Sequence, residues 1–283
     1  VASGAVLVAF GETYLPGYPV WLDVCRDVGL WDHAPVQAVY RRMAEESVVV
    51  PGPVTDALGG TAREHGVVLA IGVTERVERG PGRGTLYNAL LVFGPDGVLR
   101  THHRKLVPTH TERLVWGPGD GAGIAAIDSP AGRVGGLICW EHWMPLARQA
   151  LHESGEDIHI AVWPAVKEMH ALASRHYAFE GRCWVLAVGS VMRAGALPPE
   201  LEPDPARVAG PDAWVLDGGS LIIDPDGQIV AGPVRGGPAI VFADIDPGRV
   251  RETGMTLDVT GHYHRPDVFR LARHIEGVGG VHL

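Results

Sequence analysis

Three widely separated residues could together perform covalent chemistry. Residues 135–146 read GGLICWEHWMPL. The apolar run Val134–Ile138 predicts a buried strand that delivers Cys139 to a sharp corner, with Trp140-Glu141 opening a helix that runs to His152. A thiol at a helix start lies near the positive end of the helix dipole, which favours the nucleophilic thiolate. Upstream, the apolar run Ala5–Phe10 leads into a lone carboxylate, Glu12, and a Pro/Gly turn cluster. That pattern predicts a strand carrying Glu12 at its C-terminal edge. Lys105 lies in HHRKLVPTHTER, after a strand pair, Leu86–Phe93 and Gly97–Thr101, joined by a Pro-Asp-Gly turn. A carboxylate can take the thiol proton, and an ammonium can stabilise negative charge on the attacked atom.

Neighbouring residues have weaker claims, and each has a structural alternative. Glu141 adjoins the thiol and could organise a site, or simply complement a helix start. His142 could tune the thiolate or face solvent from the helix. Trp163-Pro164 ends the next strand, where Trp163 would wall a pocket or only pack in a core. Tyr14, Tyr18 and Trp21 follow Glu12 and suggest an aromatic lining. The 14 histidines are scattered without ligand spacing, which argues against a metal centre. Gly82-x-Gly84 and Gly117-x-Gly119-x-Gly121 lack the strand–GxGxxG–helix context of a phosphate cradle and read as turns. Cys25 and Cys183 read as core or surface thiols.

The elements that must position these residues alternate. Strands are predicted at 4–10, 67–76, 86–93, 97–102, 133–138, 158–163, 183–190, 219–223 and 239–245. Helices are predicted near 35–47, 53–66, 143–153, 168–181 and 246–254. Interleaving of this kind indicates layered α/β packing, without separating a doubly wound sheet from a two-sheet sandwich. No linker divides the 283 residues, so residues 1–283 are read as one domain, with 195–214 as a long surface loop. The net charge of −9 without a basic block argues against nucleic acid as a partner. No apolar run reaches membrane-spanning length. Three cysteines without framework spacing point to a reducing, cytoplasmic compartment.

The segments FGETYLPGYPVWLD, HRKLVPTHTERLVWGPGDG, GGLICWEHWMPLARQAL, FEGRCWVLAVGSV, GGSLIIDPDGQIVAGP and DVTGHYHRPDVFRL span residues 10–271. Through them the chain resembles the nitrilase superfamily, and within it the nitrilase branch proper. The resemblance implies a Glu-Lys-Cys triad, here Glu12, Lys105 and Cys139, on a four-layer αββα sandwich. It implies that Glu112 supports the lysine and that relatives assemble into homo-oligomers. The implied reaction takes a nitrile and water to a carboxylic acid and ammonia, with no cofactor or metal. The backbone N–H of Trp140 would assist Lys105 in stabilising the developing negative nitrogen. An aromatic pocket from Trp163 and Tyr18 suggests aryl-substituted nitriles. An amidase or carbamoylase would use the same triad; a silent oligomer subunit or binding module is the reading of another class.

Two departures stand out. Gly11 replaces the proline that relatives carry before the catalytic glutamate, which loosens the backbone there. The chain also opens at what would be the second strand. The expectation is therefore a native product longer by one strand and one helix, and poor solubility or weak activity for the chain as it stands.

Overall fold

A computed structural model describes residues 4–273. Two sheets lie face to face. The first holds β1 (Leu7–Ala9), β2 (Val68–Arg76), β3 (Leu86–Phe93) and β4 (Leu99–Arg104), in that order. The second holds β5 (Val134–Ile138), β6 (Ile158–Val162), β7 (Trp184–Val188), β8 (Val191–Arg193), β9 (Trp214–Ile223) and β10 (Ile229–Arg235). Its order is β10-β9-β7-β6-β5, and β8 pairs with β9. β5, β6 and β7 run parallel, joined by helical crossovers, and β9 and β10 return antiparallel. The helices are α1 (Trp21–Val24), α2 (Ala34–Glu45), α3 (Pro53–His65), α4 (Pro145–His152), α5 (Glu168–Gly181) and α6 (Gly248–Gly254).

The period of two along the strands divides the core. Val68, Ala70, Leu90 and Val92 point inward and meet Ile138, Ile160 and Val162 of the second sheet. The alternate residues Leu69, Ile71, Val73, Leu91 and Phe93 point outward and pack with Leu58 and Ala62 of α3. Burial on both faces explains why β2 and β3 read as continuous apolar runs. On the far side, Leu151 of α4 and Ala173, Tyr177 and Ala178 of α5 join the core of the second sheet. The result is the expected αββα layering.

Four sequence expectations need correction. The run 239–245 forms no ladder; Ile229–Arg235 pairs with β9 instead. That strand, IVAGPVR, is exposed at a sheet edge, so it shows no alternation, and an edge is where Pro233 is tolerated. β9 begins at Trp214, five residues before the predicted start. The helix predicted from Trp140 is a 3-10 turn, Cys139–Trp143, then an extended Met144, and α4 starts at Pro145. Proline suits a first helical position, where its missing N–H costs nothing. The 195–214 loop is anchored: Leu197, Leu201 and Val208 are buried with Trp21 and Val39. Residues 261–271 form surface turns, with Arg265 paired to Asp267.

Leu90 is completely buried between the sheets. Leu90→Ala should lower unfolding free energy by ~2–5 kcal/mol, read from urea denaturation with an unchanged slope.

Candidate active site

Each predicted catalytic side chain sits at the end of a strand. After β1, the Phe10 N–H still donates to Ala70 O (2.9 Å), and the Glu12 N–H crosses to Trp163 O of the second sheet (3.3 Å). Gly72 of β2 lets this turn lie flat on the sheet. A Cβ there would sit 2.6 Å from Thr13 N and 2.8 Å from Glu12 Cα. Lys105 follows β4 directly, its N–H bonded to Asn88 O (2.8 Å). Glu112 lies in the 3-10 turn His110–Leu114, where its carboxylate accepts the Thr109 N–H (2.7 Å) as a capping box.

The three charged groups converge without solvent: Glu12 and Lys105 are fully buried and Glu112 is nearly so. Lys105 Nζ donates to Glu12 Oε1 at 2.9 Å and to Glu112 at 3.0 and 2.7 Å. Asn88 Nδ2 donates to Glu12 Oε1 (2.6 Å), and Tyr18 OH donates to Glu112 Oε1 (2.9 Å). Glu12 Oε2 has no hydrogen-bond partner. Ligand atoms of Glu12, Glu112 and Cys139 all lie within 4.8 Å of one another. Among the described residues this is the one group of acid, thiol or imidazole atoms close enough to hold a metal ion. Lys105 already supplies the positive charge that its carboxylates require.

Burial pushes the Glu12 carboxyl up to about 7; Lys105 opposes the rise and Glu112 adds to it. Burial lowers the Lys105 ammonium's proton affinity, but the negative charge of Cys139, Glu12 and Glu112 outweighs it, and the net direction is up. Burial, followed by the nearby Glu12, raises the Cys139 thiol well above its ordinary value, with Lys105 opposing. This corrects the helix-dipole expectation. Cys139 heads a five-residue 3-10 turn, φ +53°, and its resting form is the thiol. A left-handed backbone is strained for a residue with a side chain, and such strain gathers at functional sites.

The supporting residues divide. Glu141 is a buried staple. His103 Nε2–H donates to both its oxygens (3.0 and 2.9 Å), and it accepts the N–H of Leu106 and of Ile138 (2.8 and 2.7 Å). One carboxylate thus ties the residue after Lys105 to the residue before Cys139. His142 does not face solvent: it is buried, and its Nδ1–H donates to Cys139 O (2.7 Å). Trp163 is also fully buried, stacked on His170 (4.5 Å) and His142 (4.7 Å), so it backs the pocket rather than walling it. Tyr14 packs on Phe10, and Trp21 is buried in the core. Cys139 opens onto a cavity of 1030 Å³ lined by Tyr18, Trp140, Trp143, Pro164, Lys167 and His170, among others. Asn88 was missed by sequence reading; its signal was a lone amide inside the apolar strand LYNALLVF.

Residues 1–255 match the carbon-nitrogen hydrolase family. The chain belongs to that family. "Nitrilase 2" from an unknown prokaryotic organism is 40% identical over 274 residues, covering 95% of this chain and 81% of that protein. An aliphatic nitrilase from Sinorhizobium fredii (strain HH103) is 39% identical, with 95% and 85% covered. A bifunctional nitrilase/nitrile hydratase, NIT4A, from Lupinus angustifolius is 37% identical, with 95% and 76% covered. The fold is also that of a carbon-nitrogen hydrolase from Helicobacter pylori G27. The TM-score is 0.65 at 19% identity, over 88% of this chain and 80% of that one.

Lys105→Met would leave two buried carboxylates facing each other without a cation. The variant should lose ~3–5 kcal/mol at pH 8. The loss should shrink towards pH 5, because Glu12, whose carboxyl burial raises, takes up a proton in the folded state and relieves the repulsion. Urea denaturation of both proteins at the two pH values checks this.

Proposed function

We propose that this carbon-nitrogen hydrolase converts an organic nitrile and two waters to a carboxylic acid and ammonia. The observation that carries the reading is the buried Glu12–Lys105–Glu112 cluster set against Cys139 at a pocket. It is joined by 37–40% identity to proteins named nitrilases. Glu12 takes the Cys139 proton as the sulfur adds to the nitrile carbon. Glu12 passes that proton to the nitrogen, held by Lys105 and the Trp140 N–H, which gives a thioimidate and restores the carboxylate. Glu12 then takes a proton from water as that water adds. Glu12 delivers that proton to the nitrogen, and the tetrahedral adduct expels ammonia and leaves a thioester. A second water, activated the same way, releases the acid and restores the thiol. No cofactor enters this scheme. Amides would join it at the tetrahedral adduct, so an amidase shares every later step.

The exposed indoles of Trp140 and Trp143, in edge contact at 5.2 Å, give the pocket flat apolar surfaces and support aryl-substituted substrates. Leu146 of α4 and Met169 and Leu172 of α5 are each more than half exposed on the outer helical layer. They favour a homo-oligomer through that layer. All three cysteines are free, and a reducing compartment such as the cytoplasm suits a thiol nucleophile. No helix among the described residues is long and apolar enough to cross a membrane.

Ammonia release from phenylacetonitrile, short aliphatic dinitriles and the matching amides tests the chemistry. The expected order of kcat/KM is phenylacetonitrile first and amides last. Cys139→Ala should abolish turnover, and Glu12→Gln should lower kcat by ~10²–10⁴. The base works as a carboxylate, so activity is present above its pKa and lost as pH falls. The acid limb of kcat/KM should have its midpoint near 7. Light scattering of an active preparation should give a mass well above the 30.2 kDa chain.

A further inference from the structure

Behind the Cys139 turn lies a line of buried polar residues that the reaction scheme does not use. His142 and His159 approach through their Nε2 atoms at 2.9 Å, and His159 Nδ1 lies 2.9 Å from Glu156 Oε2. Tyr177 OH donates to the other oxygen of Glu156. His152 stands 3.5 Å from Glu156 and 3.3 Å from Glu180, which reaches the partly exposed outer layer. His159 is fully buried, and His142, Glu156 and His152 are nearly so. Burying this much polar surface is costly unless each group is satisfied, so its retention needs a reason.

The hydrogen-bond directions fix the protons. Cys139 O can only accept, so His142 Nδ1 carries a hydrogen. Burial raises the Glu156 carboxyl, but His159 and His152 outweigh it and bring it down to about 2, so Glu156 accepts from His159 Nδ1, which carries another. A third hydrogen must lie between the two Nε2 atoms, since two bare lone pairs would repel at 2.9 Å. The geometry thus calls for three hydrogens on the four ring nitrogens; burial and the neighbouring His159 hold His142 well below its ordinary value, so the hydrogen between the two belongs to His159 Nε2. The Tyr177 ring stacks on His159 at 3.7 Å, a favourable partner for a cation. The other polar groups facing the pair are the Arg148 guanidinium on His142 O (3.0 Å) and His152, packed against Tyr177 at 4.5 Å.

Two glycines make space for this line. A Cβ on Gly135, in the strand that carries Cys139, would collide with Glu156 Oε2. A Cβ on Gly181, at the end of α5, would sit 2.5 Å from His152 Nδ1.

We propose that His142, hydrogen-bonded to His159 and anchored through it to Glu156, is the positioning residue that holds Cys139 in its left-handed conformation through the Cys139 carbonyl. This rests on Cys139 being the nucleophile. The bond acts on the Cys139 backbone, while Glu12 lies within 4.8 Å of the thiol sulfur. A donor at position 142 is then what matters, not bulk.

The test compares His142→Asn, whose amide N–H can still donate to Cys139 O, with His142→Leu, of similar volume and no donor. Iodoacetamide alkylation of Cys139, located by mass spectrometry, is read beside kcat and KM. Loss of a buried hydrogen bond predicts about a tenfold fall in alkylation rate and kcat for Leu, and a clearly smaller fall for Asn, with KM little changed. Equal losses in Asn and Leu, or no loss in Leu, would overturn the proposal. If neither variant folds, ¹⁵N-histidine NMR of the wild type decides: three protons on the His142–His159 ring nitrogens support it, and two refute it. Wild-type protein that leaves Cys139 unalkylated and turns over no nitrile sinks the nucleophile reading instead, whatever the proton count.

Discussion

One buried ammonium sets the terms for this structure. Lys105 has no solvent contact and sits between two carboxylates. An isolated charge in such a place would be neutralised or expelled, so each of the three groups is tolerable only because the others are present. Their satellites follow from the same requirement. Asn88, Tyr18 and the Thr109 N–H each occupy a carboxylate oxygen that water would otherwise serve. Burial first, with Glu112 adding and Lys105 opposing, holds the Cys139 proton and raises the proton affinity of Glu12. The burial that demands this pairing therefore also leaves a carboxyl that changes state near neutrality.

The cluster and the thiol come from different sheets. Glu12 and Lys105 extend from strands of the first sheet, and Cys139 from the second. Two ties hold the halves in register: the Glu12 N–H on Trp163 O, and the Glu141 carboxylate on Leu106 and Ile138. The apolar interior between the sheets supplies cohesion but no direction, and these few directed bonds supply the alignment.

Much of this was legible in the sequence, for reasons that differ by element. Strands buried on both faces announce themselves as apolar runs, as in VLAIGV and LLVF, and the polar residues at their ends stand out by contrast. Glu12, Lys105 and Cys139 were visible as strand-end residues of suitable chemistry. The conformation at Cys139 was not, because a 3-10 turn and a helix start share the same local signs, and only Pro145 marks the true beginning of α4. For Trp163 and His142 two readings each stayed open because periodicity gives no depth: a strand-end aromatic can wall a cavity or lie one layer behind it. The exposed edge strand β10 lacked a buried face and therefore lacked a pattern. Asn88 and the His159–Glu156 pair draw their meaning from partners distant in sequence or on other elements, which no local window can reveal.

The ties across the two sheets carry a mechanical consequence. The Glu12-to-Cys139 gap is spanned from opposite walls of the sandwich, so it measures the spacing between those walls. A slide of one sheet over the other by an ångström would leave every helix, strand and ladder intact while parting the Glu12 carboxyl from the Cys139 thiol. Turnover is then a far more sensitive gauge of sheet-to-sheet registry than circular dichroism, and heat or pressure would be felt first as lost chemistry in a chain that still looks folded.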